Sequence, residues 1–309
     1  MAVFYDTDLL PKFKKAVVTI GTFDGVHLGH LVILNEVARQ AREIGGESIL
    51  VTFEPHPRKL LYPDQSIQII TPLDEKIQLV TKAGIDHVVV APFTMDFAKL
   101  SAREYITQFL IRLFDPEFII IGYDHHFGHD RTGDIELLKE LQPAYRYQVI
   151  EIPAQLIQEA AVSSTKIRKA LKDGEVAEAS EMMGRPYSLT GIVVEGKRLG
   201  RTLGFPTANL RPISSDQIIP SIGIYAVKVE FEGQLLPGML SIGYNPTVSN
   251  DNIINIEVHL LQFDGDLYGK RLTLQFVERL RDELKFDSLE ALRQQLIEDQ
   301  KATKEIFGL

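Results

Sequence analysis

The stretch AVVTIGTFDGVHLGH, residues 16–30, contains the junction that decides the fold of the amino-terminal half. The run Ala16–Phe23 is rich in β-branched residues, which predicts a strand. Leu31–Ile44 then places apolar residues at helical spacing. Gly21 and Gly25 permit a tight turn between the two elements. We therefore expect a strand, a turn and a helix in direct succession.

The same alternation continues as far as residue 153. Strand and helix patterns follow in turn at Glu47–Glu54, Leu73–Gly84, His87–Phe93, Ala102–Phe114, Glu117–Asp124, Gly133–Tyr145 and Tyr147–Pro153. Repeated alternation of this kind predicts right-handed crossovers and a doubly wound parallel sheet. Such sheets bind ligands beyond the carboxyl ends of their strands, which is where the turn at residues 21–30 lies.

After about residue 185 the pattern changes to consecutive strands. The candidate strands are Leu189–Glu195, Ile224–Phe231, Gln234–Ile242, Ile253–Phe263 and Arg271–Arg279. The helix Ser288–Phe307, capped by Asp287 or Ser288, follows them. This order predicts a small antiparallel β-barrel with a carboxyl-terminal helix. We place the domain boundary in the helical stretch 173–186, which gives an α/β domain at 1–182 and a barrel domain at 183–309.

Composition excludes several classes of protein. The chain has 309 residues with 33 Lys and Arg against 42 Asp and Glu, a net charge of −9 that disfavours a general nucleic-acid binder. It contains no cysteine, which excludes disulfides, thiolate nucleophiles and cysteine-based metal sites. No apolar run approaches the ~18 residues of a membrane span. We expect a cytoplasmic monomer or weak homo-oligomer, with neither nucleic acid nor membrane as partner.

His27 and His30 form the first candidate site. They are three residues apart and therefore share one face of the first helical turn. The positive end of the helix and its free N–H groups lie at the same place, so the pair predicts a phosphate-binding site. A zinc site that also uses His126 and His129 remains an alternative, although no H-E-x-x-H pair supports it.

The segment Gly21–His30 closely resembles the H-x-G-H signature of the nucleotidylyltransferase superfamily, in the extended form found in bacterial FAD synthetases. Segments Thr52–Pro57, Gly122–Gly128 and Val162–Arg168 fit the same resemblance, while Thr22 and His125-His126 depart from it. Those enzymes adenylylate FMN with ATP and release pyrophosphate. The resemblance implies catalytic roles for His27 and His30. It also implies nucleotide or flavin contacts at Gly21, Phe23, Asp24, Gly25, Phe53, His56, Asp124, Ser163, Ser164, Thr165 and Arg168.

The segment Gly196–Leu210 forms the second candidate site. Its three glycines and three basic residues predict a flexible cationic flap that can cover phosphates. Thr207 and Asn209 are two residues apart on one strand face and offer oxygen ligands suited to Mg²⁺. A hairpin turn with a hydrogen-bonded asparagine is the alternative. Gly191–Arg198 departs from the P-loop pattern, because an arginine ends it and no helix pattern follows.

This flap, together with Gly223–Ala226, Ser241–Thr247 and Asp266–Lys270, resembles a riboflavin kinase. The resemblance implies that Thr207 and Asn209 hold the metal. It assigns the role of general base toward the riboflavin 5′-hydroxyl to Glu257, with His259 on the same strand face. Further nucleotide or flavin contacts are implied at Gly196, Lys197, Gly200, Arg201, Thr202, Tyr244, Arg279 and Arg281.

Both resemblances occur in order over almost the whole chain, which is identified as a member of the bifunctional prokaryotic riboflavin kinase/FAD synthetase family. Membership implies an FMN adenylyltransferase at 1–182 and a riboflavin kinase at 183–309, with ATP as co-substrate, Mg²⁺, and FMN and FAD as flavin products. Two rivals remain: a single-activity nucleotidylyltransferase whose barrel only binds ligand, and a non-enzymatic flavin sensor. A degenerate sensor is expected to have lost at least one of His27, His30, Thr207, Asn209 and Glu257.

Overall fold

The computed structural model describes residues 2–64, 67–158, 162–196, 199–244 and 254–309. The chain divides into two compact units, Met1–Ser164 and Thr165–Leu309. The predicted combination of an α/β fold and an all-β fold is confirmed, since the first unit contains a parallel sheet and the second a closed barrel.

The first unit is built on a parallel sheet of six strands in the order β1-β4-β3-β2-β5-β6. The strands are β1 (Ala2–Phe4), β2 (Ala16–Ile20), β3 (Glu47–Glu54), β4 (His87–Pro92), β5 (Pro116–Gly122) and β6 (Gln148–Ile152). Successive strands move outward from β2 to β4, and the chain then returns to place β5 beside β2. The topological switch point therefore lies between β2 and β5, beyond whose carboxyl ends a ligand site is expected.

Helices connect these strands and cover both faces of the sheet. They are α1 (Leu28–Ile44), α2 (Pro57–Leu61), α3 (Leu73–Lys82), α4 (Met95–Ala98), α5 (Ala102–Glu104), a π-helix (Tyr105–Ile111), α6 (Arg112–Phe114), a 3₁₀-helix (His129–Arg131), α7 (Ile135–Tyr145) and α8 (Ala154–Gln158). The helix predicted at Ala102–Phe114 thus changes its hydrogen-bond pattern midway. Ile119 and Ile121 pack into one core and Ile120 into the other, as expected for a strand buried on both faces.

The second unit contains a closed antiparallel barrel in the order β10-β11-β8-β7-β12-β9. The strands are β7 (Ser188–Val194), β8 (Ala208–Pro212), β9 (Gly223–Phe231), β10 (Gln234–Tyr244), β11 (Ile254–Leu260) and β12 (Arg271–Arg281). Its helices are α9 (Ser164–Asp173), α10 (Val176–Met183), α11 (Leu199–Thr202) and α12 (Leu289–Phe307). Ser288 caps α12 as predicted, since its hydroxyl accepts the N–H of Ala291 at 3.1 Å.

The division between the units follows Ser164, so α9 and α10 group with the barrel. The carbonyl of Leu171 in α9 accepts the N–H of Ser221 at 3.2 Å, and α10 packs against β12. The sequence predicts the domain boundary within this helical stretch. Helical periodicity shows that a helix has an apolar face, but it does not show which core that face covers. The boundary at residue 182 stays a prediction about where the chain can be divided without loss of function.

Candidate active sites

The loop between β2 and α1 brings the two predicted catalytic histidines together at the switch point. His27 is the N-cap of α1, and its Nδ1 accepts the backbone N–H of His30 at 3.3 Å. The two imidazole rings stack with centroids 3.7 Å apart. Both rings therefore lie at the positive end of α1, as the three-residue spacing predicts.

The backbone of this loop is held in an unusual conformation. Phe23 has a φ of 45° and Val26 a φ of 36°, on either side of Gly25 at 89°. Left-handed backbone at bulky residues persists only where the surroundings impose it, and it is concentrated at functional sites. The loop shape is therefore fixed by tertiary contacts.

Asp24 provides those contacts. Its buried carboxylate accepts the backbone N–H groups of Ile70 at 3.0 Å and Thr71 at 3.1 Å. The hydroxyl of Ser164 donates to the carbonyl of Asp24 at 2.9 Å. Asp24 and Ser164, both predicted as ligand contacts, thus hold the loop in place in this structure.

A buried lysine that the sequence did not reveal supports the same loop. The Lys76 ammonium donates to the hydroxyl of Thr52 at 3.3 Å, and that hydroxyl donates to the carbonyl of Thr22 at 3.3 Å. Burial lowers the pKa of Lys76, while the charges of Asp24 and Glu54 oppose this shift. A lysine in an amphipathic helix normally lies on the solvated face. The apolar spacing of α3 therefore did not indicate that Lys76 is buried.

Other predicted residues of the first unit lie at the ends of β3 and β5. Phe53 is buried among aromatic rings, with the centroid of Phe97 at 5.5 Å. His56 caps α2 by accepting the N–H of Arg58 at 3.2 Å, and Asp124 is exposed. No group of three or more His, Cys, Asp or Glu side chains that could hold a metal occurs in the described part of the chain.

The predicted phosphate motif after β6 is divided between the units. Ser163 and Ser164 belong to the first unit, whereas Thr165 and Arg168 belong to the second. Ser163 and Arg168 are half-buried, and Thr165 is exposed. Their contacts with nucleotide stay a prediction.

A partly open cavity of about 630 Å³ is lined by residues of the barrel and of α12. The lining includes the predicted residues Gly196, Gly200, Thr207, Asn209 and Glu257. Residues that the sequence did not single out also line it: Met239, Asn255, Leu292, Leu296 and Asp299. The predicted base and metal ligands therefore line the same cavity.

Glu257 lies at the centre of the polar groups in this cavity. The hydroxyl of Thr207 donates to its Oε2 at 2.9 Å, and the side-chain amide of Asn255 donates to its Oε1 at 2.6 Å. Because β11 pairs with β8, Glu257 lies directly opposite Asn209. The pairing thus joins residues about fifty positions apart into one oxygen-rich cluster.

Two glycines of the flap allow this close packing. A Cβ on Gly196 would lie 2.0 Å from the amide nitrogen of Asn209, and one on Gly200 would lie 2.3 Å from the carbonyl of Phe205. Lys197 lies outside the described residues, as does the side chain of Arg201. Thr202 and Tyr244 are exposed.

His259 lies in the cavity wall near Glu257. Its Nδ1 is 2.8 Å from the carbonyl oxygen of Pro206, and because a carbonyl only accepts, Nδ1 carries the hydrogen. Burial lowers the pKa of His259, although the hydrogen bond to Pro206 opposes this shift. The ring therefore favours its neutral form.

Comparison with known proteins places both sites in one family. The model of the FAD synthetase family matches residues 10–166, and the riboflavin kinase model matches residues 183–307. A bifunctional riboflavin kinase/FMN adenylyltransferase of Listeria monocytogenes is 36% identical over 293 residues, covering 94% of this chain and 92% of that protein. One of Pseudomonas fluorescens is 37% identical, covering 96% and 94%. The chain belongs to the bifunctional riboflavin kinase/FMN adenylyltransferase family.

This riboflavin kinase/FMN adenylyltransferase catalyses two reactions. Its carboxyl-terminal part phosphorylates riboflavin with ATP to give FMN, and its amino-terminal part adenylylates FMN with ATP to give FAD and pyrophosphate. The cavity with Glu257 lies in the region matched by the kinase model, and His27 and His30 lie in the region matched by the synthetase model.

A solved structure from Streptococcus pneumoniae, described as a macrolide-efflux protein, shares the fold. It has a TM-score of 0.88 and 31% identity, with 98% of both chains covered. The description as an efflux protein applies to the Streptococcus pneumoniae protein and is not carried over to this chain. In this kinase/adenylyltransferase, the described residues include no helix with the length and apolar character needed to cross a membrane.

Two arginines predicted as flavin contacts of the kinase form bonds within the protein. Arg281 donates twice to Asp299, through Nε at 2.8 Å and Nη2 at 2.7 Å. Arg279 donates to the carbonyl of Ile222 and to Asp282, both at 2.8 Å. The sequence missed Asp299, because an acidic residue on an amphipathic helix is usually solvated, yet it is 4% exposed.

Proposed function

We propose that Glu257 is the general base of the riboflavin kinase reaction and that Thr207 and Asn209 are ligands for Mg²⁺. The observation that carries this proposal is the meeting of all three side chains in one cavity. The Glu257 carboxylate accepts the Thr207 hydroxyl at 2.9 Å, and its strand position is paired with Asn209.

In the kinase step a proton moves from riboflavin to Glu257, and ADP is the leaving group. Glu257 takes the proton of the riboflavin 5′-hydroxyl while that oxygen bonds to the γ-phosphorus of ATP. The bond from the γ-phosphorus to the β–γ bridging oxygen breaks, and ADP leaves with the bonding electrons. Glu257 then returns its proton to water. Positioning and charge neutralisation supply most of the rate enhancement of such phosphoryl transfers.

The donor set fits Mg²⁺. A threonine hydroxyl, an asparagine amide and a neighbouring carboxylate are all hard oxygen donors. Since a hydroxyl has two lone pairs and one hydrogen, Thr207 can bind a cation while still donating to Glu257. When bound, Mg²⁺ would neutralise the phosphate charge of ATP. Gly196, Lys197, Gly200, Arg201 and Thr202 would cover those phosphates, and Tyr244, Arg279 and Arg281 would act on the flavin side.

His27 and His30 are proposed to hold the α-phosphate of ATP in the adenylyl transfer. Nδ1 of His27 accepts the N–H of His30, so a neutral ring carries its hydrogen on Nε2, which can donate to phosphate. An FMN phosphate oxygen bonds to the α-phosphorus, the bond to the α–β bridging oxygen breaks, and pyrophosphate leaves. Nucleotide or flavin contacts are proposed for Gly21, Phe23, Asp24, Gly25, Phe53, His56, Asp124, Ser163, Ser164, Thr165 and Arg168.

We also propose that the enzyme works in the cytoplasm, because both reactions consume ATP, and that it is a monomer or weak homo-oligomer. Sedimentation across a range of protein concentrations tests the second point. A large assembly that persists on dilution would contradict it.

Glu257→Gln tests the kinase assignment. Gln keeps the shape and can hydrogen-bond the substrate, but it cannot take a proton, so FMN formation should fall about 10²–10⁴-fold. Riboflavin and Mg·ATP should still bind, and FAD synthesis from supplied FMN should be unchanged. Chromatography that separates FMN from FAD gives both rates in one assay. Normal riboflavin turnover by this variant would exclude Glu257 as the base.

Asn209→Ala is the variant to compare with Glu257→Gln. It removes a metal ligand rather than a base, so it should weaken ATP binding to the barrel, and added Mg²⁺ should recover part of that loss.

A further inference from the structure

Asn255 lines the barrel cavity beside Glu257. Of the two described side-chain hydrogen bonds to Glu257, the one from Asn255 is the shorter. Asn255 precedes Glu257 by two positions on β11, so both side chains lie on the same face of the strand. Its amide nitrogen is 2.6 Å from Oε1 of Glu257, and both residues line the cavity. Because an ionised carboxylate only accepts hydrogen bonds, the NH₂ end of the amide must face it.

The two oxygens of Glu257 therefore have different donors. Thr207 donates to Oε2 and Asn255 donates to Oε1. A glutamate side chain has three rotatable bonds, and one hydrogen bond would leave the carboxylate plane free to turn about it. Two donors, one on β11 and one just before β8, fix both the position and the plane of the carboxylate. Hydrogen bonds to an ionised group are also stronger than neutral ones.

We infer that Asn255 is a positioning residue of the riboflavin kinase reaction: its amide holds Oε1 of Glu257 so that Oε2 keeps a lone pair toward the riboflavin 5′-hydroxyl. This inference rests on the proposed role of Glu257 as the base. A general base works only within hydrogen-bond reach of the proton that it removes, and a displacement of about 1 Å can cost about 10²-fold in rate. The contact of Asn255 is with Oε1 of Glu257, whereas Oε2 is the oxygen assigned to the proton transfer.

Asn255→Ala and Asn255→Asp test the inference. Alanine removes the donor, and aspartate keeps the shape but replaces the donor by an acceptor. Both should lower kcat for FMN formation about 10–100-fold, with the KM values for riboflavin and Mg·ATP within about threefold of wild type. Asn255→Thr, which keeps a donor at this position, should recover much of the loss. FAD synthesis from supplied FMN should be unchanged in all three variants.

Controls separate positioning from misfolding and from failure of the base assignment. Riboflavin binding reports whether the barrel is folded, and Asn35→Ala, an exposed position on α1, should be indistinguishable from wild type. In a Glu257→Gln background, Asn255→Ala should have no further effect on kcat, because the carboxylate that it positions is gone.

Three outcomes would overturn the inference. A wild-type kcat in Asn255→Ala, together with an inactive Glu257→Gln, would reject the positioning role and leave the base in place. A raised KM at unchanged kcat would make Asn255 a substrate contact. Normal turnover by Glu257→Gln would remove the base assignment, and the role of Asn255 with it.

Discussion

At the scale of single residues, histidines serve different purposes according to the groups around them. His27 and His30 stack at the start of α1, where phosphate charge is favoured. Changing either to Ala should lower FAD formation by about 10²–10³-fold, because one electrostatic donor to the transition state is lost. FMN formation from riboflavin should stay close to wild type. Equal damage to both rates would contradict two separate sites.

His125 should make the stability of the protein depend on pH. Burial lowers its pKa to about 4 from an ordinary value of 6.5. Between these values the unfolded chain binds a proton that the folded chain does not, so the free energy of unfolding should fall as pH falls from 6.5 toward 4. His125→Asn should lose this component of the slope. Melting temperatures of wild type and variant at pH 7 and pH 5 measure it, and parallel shifts would contradict it.

At the scale of elements, α12 is fixed to the barrel by the pair of Arg281 on β12 and Asp299 on the helix. Asp299→Asn should destabilise the protein by about 3 kcal/mol, because it leaves a mostly buried guanidinium without its counter-ion. The double change Arg281→Met, Asp299→Leu should cost less than this single change, since no charge is left unpaired. Urea unfolding followed by circular dichroism measures the free energy of unfolding of each variant. A double variant whose loss equals the sum of the two single losses would contradict the expectation.

The loop between β2 and α1 shows how one element depends on another. Its left-handed residues Phe23 and Val26 are stabilised through Asp24, whose partners are N–H groups just before α3. The buried Lys76 of α3 reaches the same loop through Thr52. The placement of His27 therefore depends on α3 as well as on α1.

At the scale of the whole molecule, the position of the domain boundary can be tested with fragments. The fragment 183–309 should fold and phosphorylate riboflavin, since it contains every strand of the barrel. The fragment 165–309 should melt at a higher temperature, because α9 and α10 bury residues such as Leu171, Val176 and Met182. Calorimetry of both fragments tests this order. Equal melting temperatures would show that these helices add nothing to barrel stability.

The sequence alone determined most features that depend on local spacing. Short β-branched runs predicted five strands of the parallel sheet, and β3 has the predicted bounds. The three-residue spacing of His27 and His30 predicted their shared face, and alternation placed Glu257 and His259 on one side of a strand. These features are local because helix and strand periodicities repeat within a few residues. The strand β1 was not predicted, since three residues carry little periodicity, and near β8 the sequence predicted only that Thr207 and Asn209 share a strand face.

Only the tertiary structure decided which distant groups meet. The pairing of β11 with β8 brings Glu257 to Thr207 and Asn209, and the register of such a pair cannot be deduced from either strand alone. The packing of α12 against the barrel pairs Arg281 of β12 with Asp299 of the helix. Hydrogen-bond partners of buried charges are chosen by packing between elements far apart in the chain, so residue type predicts the chemistry of a site but not its contacts.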